Sequence, residues 1–201
     1  MIAILDYDAG NIKSVEKAIT SLGGDAVVTS KRSEILKADH VILPGVGAFG
    51  DAMKKLSEYE LVDTIHEVVK RGTPFLGICL GLQLLFEDSE ETPGVAGLGL
   101  LPGHILRIPD APGIKIPHIG WNSLTITPNA GILKGLGEEP YVYFVHSYYL
   151  KSDDPKIVIA RTHYGVEIHA AVEKDNLFAV QFHPEKSEKI GMRMLQNFLS
   201  L

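Results

Sequence analysis

The stretch Thr73-Pro-Phe-Leu-Gly-Ile-Cys-Leu-Gly-Leu-Gln-Leu-Leu-Phe-Glu87 decides the fold. Thr73 to Ile78 is apolar after Pro74 and reads as a short buried strand. From Leu80 onward the helix formers Leu82, Gln83, Leu84 and Leu85 take over. Cys79 stands between the two with Gly77 and Gly81 on either side, and a nucleophile on a sharp strand-to-helix turn needs such neighbours without Cβ. At a helix N-terminus the unpaired N–H groups favour thiolate over thiol. The N–H of Leu80 would face an oxyanion formed on a substrate attacked by the sulfur. A lone cysteine is equally a small buried hydrophobe, so the turn by itself leaves both readings open.

Upstream, Ile2 to Leu5, Ala26 to Thr29 and His40 to Leu43 are short apolar runs separated by helical patterns at Ile12 to Leu22 and Ser33 to Lys37. Helical periodicity returns at Phe49 to Leu56 and Leu61 to Lys70. This alternation predicts an α/β fold, a parallel sheet flanked by helices. Its ligands bind beyond the carboxyl ends of the strands, where Pro44-Gly45-Val46-Gly47 and Cys79 both fall. Downstream the pattern changes to short strands at His104 to Ile108, Asn122 to Thr127, Tyr141 to Leu150, Lys156 to Thr162, Ile168 to Glu173 and Leu177 to Gln181. These predict an added antiparallel β portion in the second half. An amphipathic helix over Ser187 to Leu199 closes the chain, and no linker composition divides residues 1–201, so one domain is expected.

The 201 residues are 45% hydrophobic and 22% charged with a formal charge of −6, which argues against a nucleic-acid face. The most apolar stretch, Pro74 to Phe86, is too short to span a membrane. Met1-Ile-Ala-Ile-Leu-Asp6 lacks the charged start of a signal peptide. One cysteine cannot form an internal disulfide, so the expected setting is a reducing cytoplasm. Eight histidines are present. His40, His66, His104, His118, His163 and His169 lack cysteines or carboxylates at metal-ligand spacing, and no metal or other cofactor is expected.

His183 and Glu185 fall in Leu177-Phe-Ala-Val-Gln-Phe-His-Pro-Glu185, at the end of an apolar run. Pro184 is expected to hold the chain extended, with both side chains on one side. A carboxylate there can bind one imidazole nitrogen and leave the other for a thiol. His-Pro-Glu is also the composition of a surface turn. Together with the Cys79 elbow it becomes a candidate nucleophile–base–orienter set.

Leu43-Pro-Gly-Val-Gly-Ala-Phe-Gly50, Leu76-Gly-Ile-Cys-Leu-Gly-Leu-Gln83 and Val180-Gln-Phe-His-Pro-Glu-Lys-Ser187 closely resemble, in this order, the class I glutamine amidotransferases. The resemblance covers the whole chain and implies a flavodoxin-like fold. Ile116-Pro-His-Ile-Gly-Trp-Asn122 and Tyr143-Phe-Val-His-Ser-Tyr148 resemble one branch, the separate glutaminase subunits of histidine biosynthesis. The resemblance implies a heterodimer with a cyclase subunit of (β/α)₈-barrel type, to which ammonia from L-glutamine is passed. It implies a triad of Cys79, His183 and Glu185 and an oxyanion hole from Leu80 with Val46 and Gly47. Substrate contacts would come from Gly47, Gln83, Glu91, His146, Ser147 and Tyr148, with Glu91 facing the ammonium group. Asn11, in the loop after Gly10, together with Trp121 and Lys186, would lie near the partner. Sibling subunits serving anthranilate, aminodeoxychorismate or pyridoxal phosphate synthesis share the triad motifs but not the Pro117 to Asn122 segment. A cysteine peptidase or thioesterase on a similar elbow is the alternative outside the family.

Overall fold

The computed structural model describes every residue except Ala9 and Asn129. The first half runs β1 (Ile2–Leu5), α1 (Ile12–Ser21), β2 (Ala26–Thr29), α2 (Arg32–Ile35), β3 (His40–Leu43), α3 (Phe49–Glu58), α4 (Leu61–Lys70), β4 (Phe75–Ile78) and α5 (Leu80–Leu84). The second half is mostly strand: β5 (Asp88–Ser89), β6 (Gly103–Arg107), β7 (His118–Ser123), β8 (Thr125–Ile126), β9 (Tyr141–His146) and β10 (Tyr148–Ser152). It ends with β11 (Val158–His163), β12 (Glu167–Lys174), β13 (Leu177–Val180) and α6 (Glu188–Leu199).

One sheet carries the fold, in the order β2-β1-β3-β4-β13-β12-β11-β8. Its first half is parallel, and β1, β4 and β13 are buried along their full lengths, as parallel strands covered on both faces must be. Alternate residues serve opposite faces. Leu5, Leu43 and Phe75 pack with Leu56, Ile65 and Val68 of α3 and α4. Ile4, Ile42, Leu76 and Ile78 pack with Val15, Ile19, Leu195 and Phe198 of α1 and α6. Two smaller sheets, β10-β6-β5 and β7-β9, stand beside this core.

Three departures from the sequence reading matter for the site. Leu177 to Gln181 does not belong wholly to the antiparallel portion: β13 pairs parallel with β4, from Leu177 opposite Phe75 to Val180 opposite Ile78, and antiparallel only with β12. A strand buried on both faces fits either direction, so local pattern does not choose between them. The expected strand at Asn122 to Thr127 begins earlier and breaks at Leu124, because alternation starts at the buried His118. The run Tyr141 to Leu150 divides at Ser147, with β9 pairing to β7 and β10 to β6.

The turn between β4 and α5 closes only because it lacks side chains at two points. A Cβ on Gly77 would stand 2.7 Å from the carbonyl oxygen of Gly81, and one on Gly81 only 1.9 Å from that of Leu43. Both obstacles are backbone, so neither can swing aside. Gly81→Ala should therefore lower stability by about 2–3 kcal/mol or more by forcing α5 away from β3. Urea unfolding checks this, and an unchanged midpoint would mean that α5 is not seated as described.

Candidate active site

Cys79 occupies the β4–α5 turn at φ 56°, ψ −108°, a region L residues rarely enter and which costs about 1–3 kcal/mol. Its N–H donates to the Val180 carbonyl at 2.8 Å, tying the turn to the end of β13. Because β4 and β13 run in the same direction, their C-terminal ends deliver Cys79 and His183 to one place. α5 has only five residues, so what the helix offers the sulfur is one turn of N–H groups rather than a long dipole.

His183 is pinned by its backbone. Its N–H donates to the Tyr143 carbonyl at 2.9 Å, and its own carbonyl accepts from the Ser187 hydroxyl at 2.6 Å. Pro184 does not extend the chain as expected. Pro184–Lys186 form a 3₁₀ turn, and this turn folds Glu185 back onto the ring. The Glu185 Oε1 lies 2.7 Å from His183 Nδ1, with side chains 0% and 1% exposed respectively. The same oxygen accepts from Asn11 Nδ2 at 2.5 Å. His183 Nε2 has no hydrogen-bond partner among the described residues. With Nδ1 committed to the carboxylate, Nε2 is the nitrogen left to exchange a proton.

Burial pulls the basicity of His183 down, but Cys79 and Glu185 outweigh it and raise its pKa to about 9. The neighbouring Tyr7 is held neutral by burial and then by Cys79, its hydroxyl donating to the Pro44 carbonyl at 2.7 Å. A value near 9 keeps the ring protonated at neutral pH.

Gly47, Gln83, Glu91, His146, Ser147 and Tyr148 line one cavity of 240 Å³ with Cys79 and Val46. A larger cavity of 630 Å³ opens around Thr127, Leu133 and Gly137; among the described residues its walls bring no nucleophile and base together as the smaller one does, so chemistry favours the smaller one. Glu91 Oε2 accepts from the Phe49 N–H at 2.8 Å, at the start of α3. Gln83 Nε2 donates to the Tyr148 carbonyl at 3.0 Å and to Gln181 Oε1 at 3.1 Å. His146 contacts the Tyr148 carbonyl through Nδ1 at 2.8 Å and His118 through Nε2 at 3.0 Å. Both of these imidazoles are held neutral chiefly by burial, His118 at about 4 and His146 at about 3. With its ring nitrogens engaged, His146 has its backbone and ring edge to offer a substrate.

One of the donors expected for an oxyanion is engaged in this structure. The Leu80 N–H donates to the Gly45 carbonyl at 3.3 Å, so this donor is already engaged by the β3–α3 loop. Two backbone groups brought together away from water satisfy each other unless a ligand competes. Gly47, at φ 103° with nothing within 4 Å of a Cβ position, is where that loop has room to turn.

Trp121 lies on an exposed face with Ile119 and Tyr141, and Lys186 places its ammonium 5.9 Å above the Tyr143 ring. Asn11, expected beside them, directs its amide to Glu185. Glu87, His104 and Asp153 bring exposed ligand atoms within 4.8 Å of one another, a grouping invisible in linear spacing, and none of them lines the Cys79 cavity. Gln181, Ser187 and Tyr7 were given no role from the sequence, and His118 was considered there only as a metal ligand. For Gln181 a signal existed, a polar residue directly after a wholly apolar strand.

The family model described as glutamine amidotransferase class-I matches residues 3–201, and the chain belongs to this family. It is 51% identical over 201 residues to the imidazole glycerol phosphate synthase subunit HisH of Methanothermobacter thermautotrophicus, covering 100% of this chain and 98% of that protein. It is 52% identical over 198 residues to the subunit of that name from Bacillus cereus, covering 98% and 93%. A crystal structure of a glutamine amidotransferase superposes with a TM-score of 0.78 at 23% identity, covering 99% of this chain and 97% of that one. PurLQS from Thermotoga maritima gives 0.74 at 22%, with the same coverage. These two structures share the fold, the class I amidotransferase form of the flavodoxin-like α/β architecture.

His183 should titrate near pH 9 in the folded chain, and markedly lower in Cys79→Ala, where burial is opposed by Glu185 alone. A folded-state value above the ordinary imidazole range adds stability that is complete below about pH 6.5 and lost as pH rises through 9. Histidine NMR titration of both proteins measures this. Equal values would mean that the sulfur does not act on the ring.

Proposed function

We propose that this chain is the glutaminase subunit of an imidazole glycerol phosphate synthase in histidine biosynthesis. It hydrolyses L-glutamine to glutamate and ammonia and passes the ammonia to a cyclase subunit. The observation that carries this reading is the buried His183–Glu185 pair, 2.7 Å apart, beside a strained Cys79 at the wall of a small polar cavity. Near-full-length similarity to subunits named HisH supports the particular synthase over its siblings.

In the proposed reaction Cys79 sulfur attacks the side-chain carboxamide carbon, forming a C–S bond and placing negative charge on the oxygen. The tetrahedral adduct collapses with cleavage of the C–N bond, while the proton on His183 Nε2 passes to the departing nitrogen as ammonia forms. His183 then takes a proton from water as the water attacks the thioester. Collapse of the second adduct returns the sulfur and releases glutamate. Glu185 keeps the ring oriented with Nε2 toward the chemistry and stabilises its cation. Gln83, Gly47, Ser147 and Tyr148 frame the substrate, and the remaining oxygen of Glu91 faces its ammonium group.

The oxyanion donors would be the Leu80 N–H and an N–H of the Val46–Gly47 segment. Since Leu80 is engaged by Gly45, the isolated chain rests in a weakly active arrangement, and a missing donor of this kind costs about 3–4 kcal/mol of barrier. The partner would dock on the aromatic face of Ile119, Trp121, Tyr141 and Tyr143 with Lys186. Exposed large apolar side chains grouped this way mark an interaction surface. β9 reaches from that face to the triad, since Tyr143 bonds the backbone of His183, and partner binding can shift the resting arrangement.

Cys79→Ala should abolish glutamate release while preserving fold and partner binding. His183→Ala should lower kcat about 10³-fold, and Glu185→Gln less. Glutaminase turnover is then compared for the chain alone, with the cyclase, and with cyclase plus its acceptor nucleotide. Stimulation should appear with the cyclase and increase with the acceptor. Three equal rates would refute the coupling, whereas stimulation by an anthranilate or aminodeoxychorismate synthase partner instead would reassign the pathway.

A further inference from the structure

Cys79 has a polar neighbour that the triad does not account for. Gln181 follows the last residue of β13, is wholly buried, and is anchored by its N–H to the Ala170 carbonyl at 2.8 Å. Its side-chain Nε2 lies 3.7 Å from Cys79 Sγ, hydrogen-bond range for sulfur, and its Oε1 accepts from Gln83 Nε2 at 3.1 Å.

The orientation of both amides follows from the acceptors around them. The Tyr148 carbonyl can only accept, so Gln83 must present its NH₂ group there, at 3.0 Å. The second proton of that group then goes to Gln181, which must turn its oxygen to Gln83 and its own NH₂ to the sulfur. Both protons of Gln83 are thereby used, and its Oε1, at the cavity wall, has no protein partner among the described residues.

We propose that Gln181 is a catalytic partner of Cys79: it donates an N–H to the nucleophilic sulfur and, through Gln83, sets an acceptor oxygen toward the substrate carboxamide NH₂. The proposal rests on Cys79 being the nucleophile. A buried amide is destabilising unless its bonds are made, and β13 before it is entirely apolar, so packing alone calls for an apolar residue. Negative charge collects on the sulfur when His183 holds the proton, and again when the thioester breaks. An N–H bond to a charged sulfur is stronger than one to a thiol, so Gln181 favours the reactive form.

The test follows iodoacetamide alkylation of Cys79 in the isolated chain against pH, using Gln181→Met, which removes the donor at similar length, and Gln181→Glu, which substitutes an acid. The other titratable groups around the sulfur are His183 with Glu185 behind it, Tyr7, His146, Tyr148 and Glu91, and none is altered. The Gln181→Met profile should move about one pH unit upward, and alkylation at pH 7 should slow about tenfold. Gln181→Glu should move it further. With cyclase and acceptor present, kcat should fall and KM should rise in both variants. A folded Gln181→Met chain whose profile superposes on the original overturns the proposal, since a purely structural role moves stability alone. Should the variants not fold, the Gln181 side-chain amide resonances of the unaltered chain decide: they should shift with the midpoint of the alkylation profile, and fixed resonances overturn it. Full glutaminase activity in Cys79→Ala would instead overturn the assignment of the nucleophile.

Discussion

The parallel pairing of β4 with β13 is the constraint on which the site depends. Two strands adjacent in space but about a hundred positions apart in the chain run in one direction and end together. The turn after one carries Cys79, and the turn after the other carries His183 and Glu185. The Cys79 N–H bond to the Val180 carbonyl, at 2.8 Å, fastens the two turns. An antiparallel β13 would put its other end beside Cys79 and leave the sulfur without a base. The mixed sheet therefore changes direction one strand later, at β12, where the pairing no longer affects the chemistry.

Electrostatics then depends on how little water reaches this junction. Glu185 and His183 are almost completely buried, and a buried ion pair is no strong source of stability by itself. Its value lies in direction. Glu185 Oε1, held by Asn11 and His183, fixes one ring nitrogen and leaves Nε2 without a partner among the described residues. Strain at Cys79 belongs to the same economy of position, since a relaxed turn would direct the sulfur elsewhere. Stability and reactivity are opposed here, and the surrounding apolar layers of α1, α6 and the sheet carry the difference.

Much of this was legible in the sequence because it is local. Gly77, Cys79 and Gly81 encode their turn through missing side chains, and His183 with Glu185 sit two residues apart. The strands β1 to β4 follow from short apolar runs and the helices α1 to α4 from helical patterns. What could not be read is what depends on distant backbone. The direction of β13 is set by partners on both sides, not by its four apolar residues. Pro184 was expected to extend the chain and instead begins the turn that makes the Glu185 contact. The engagement of the Leu80 N–H by Gly45 joins the start of α5 to a loop 35 positions earlier, and no residue type signals it. The pair His118 and His146 likewise becomes visible only through the β7–β9 register, which sets them opposite each other.

In the proposed function Cys79 attacks a glutamine side chain, and partner binding shifts the resting arrangement of the oxyanion donors. The most direct measurement is mass spectrometry of the chain treated with a glutamine analogue bearing an electrophilic carbon in place of the carboxamide, with and without the cyclase and its acceptor nucleotide. A single adduct on the peptide containing Cys79 is expected, formed faster in the full complex and suppressed by glutamine. An adduct at another residue, or none under any of these conditions, would contradict it.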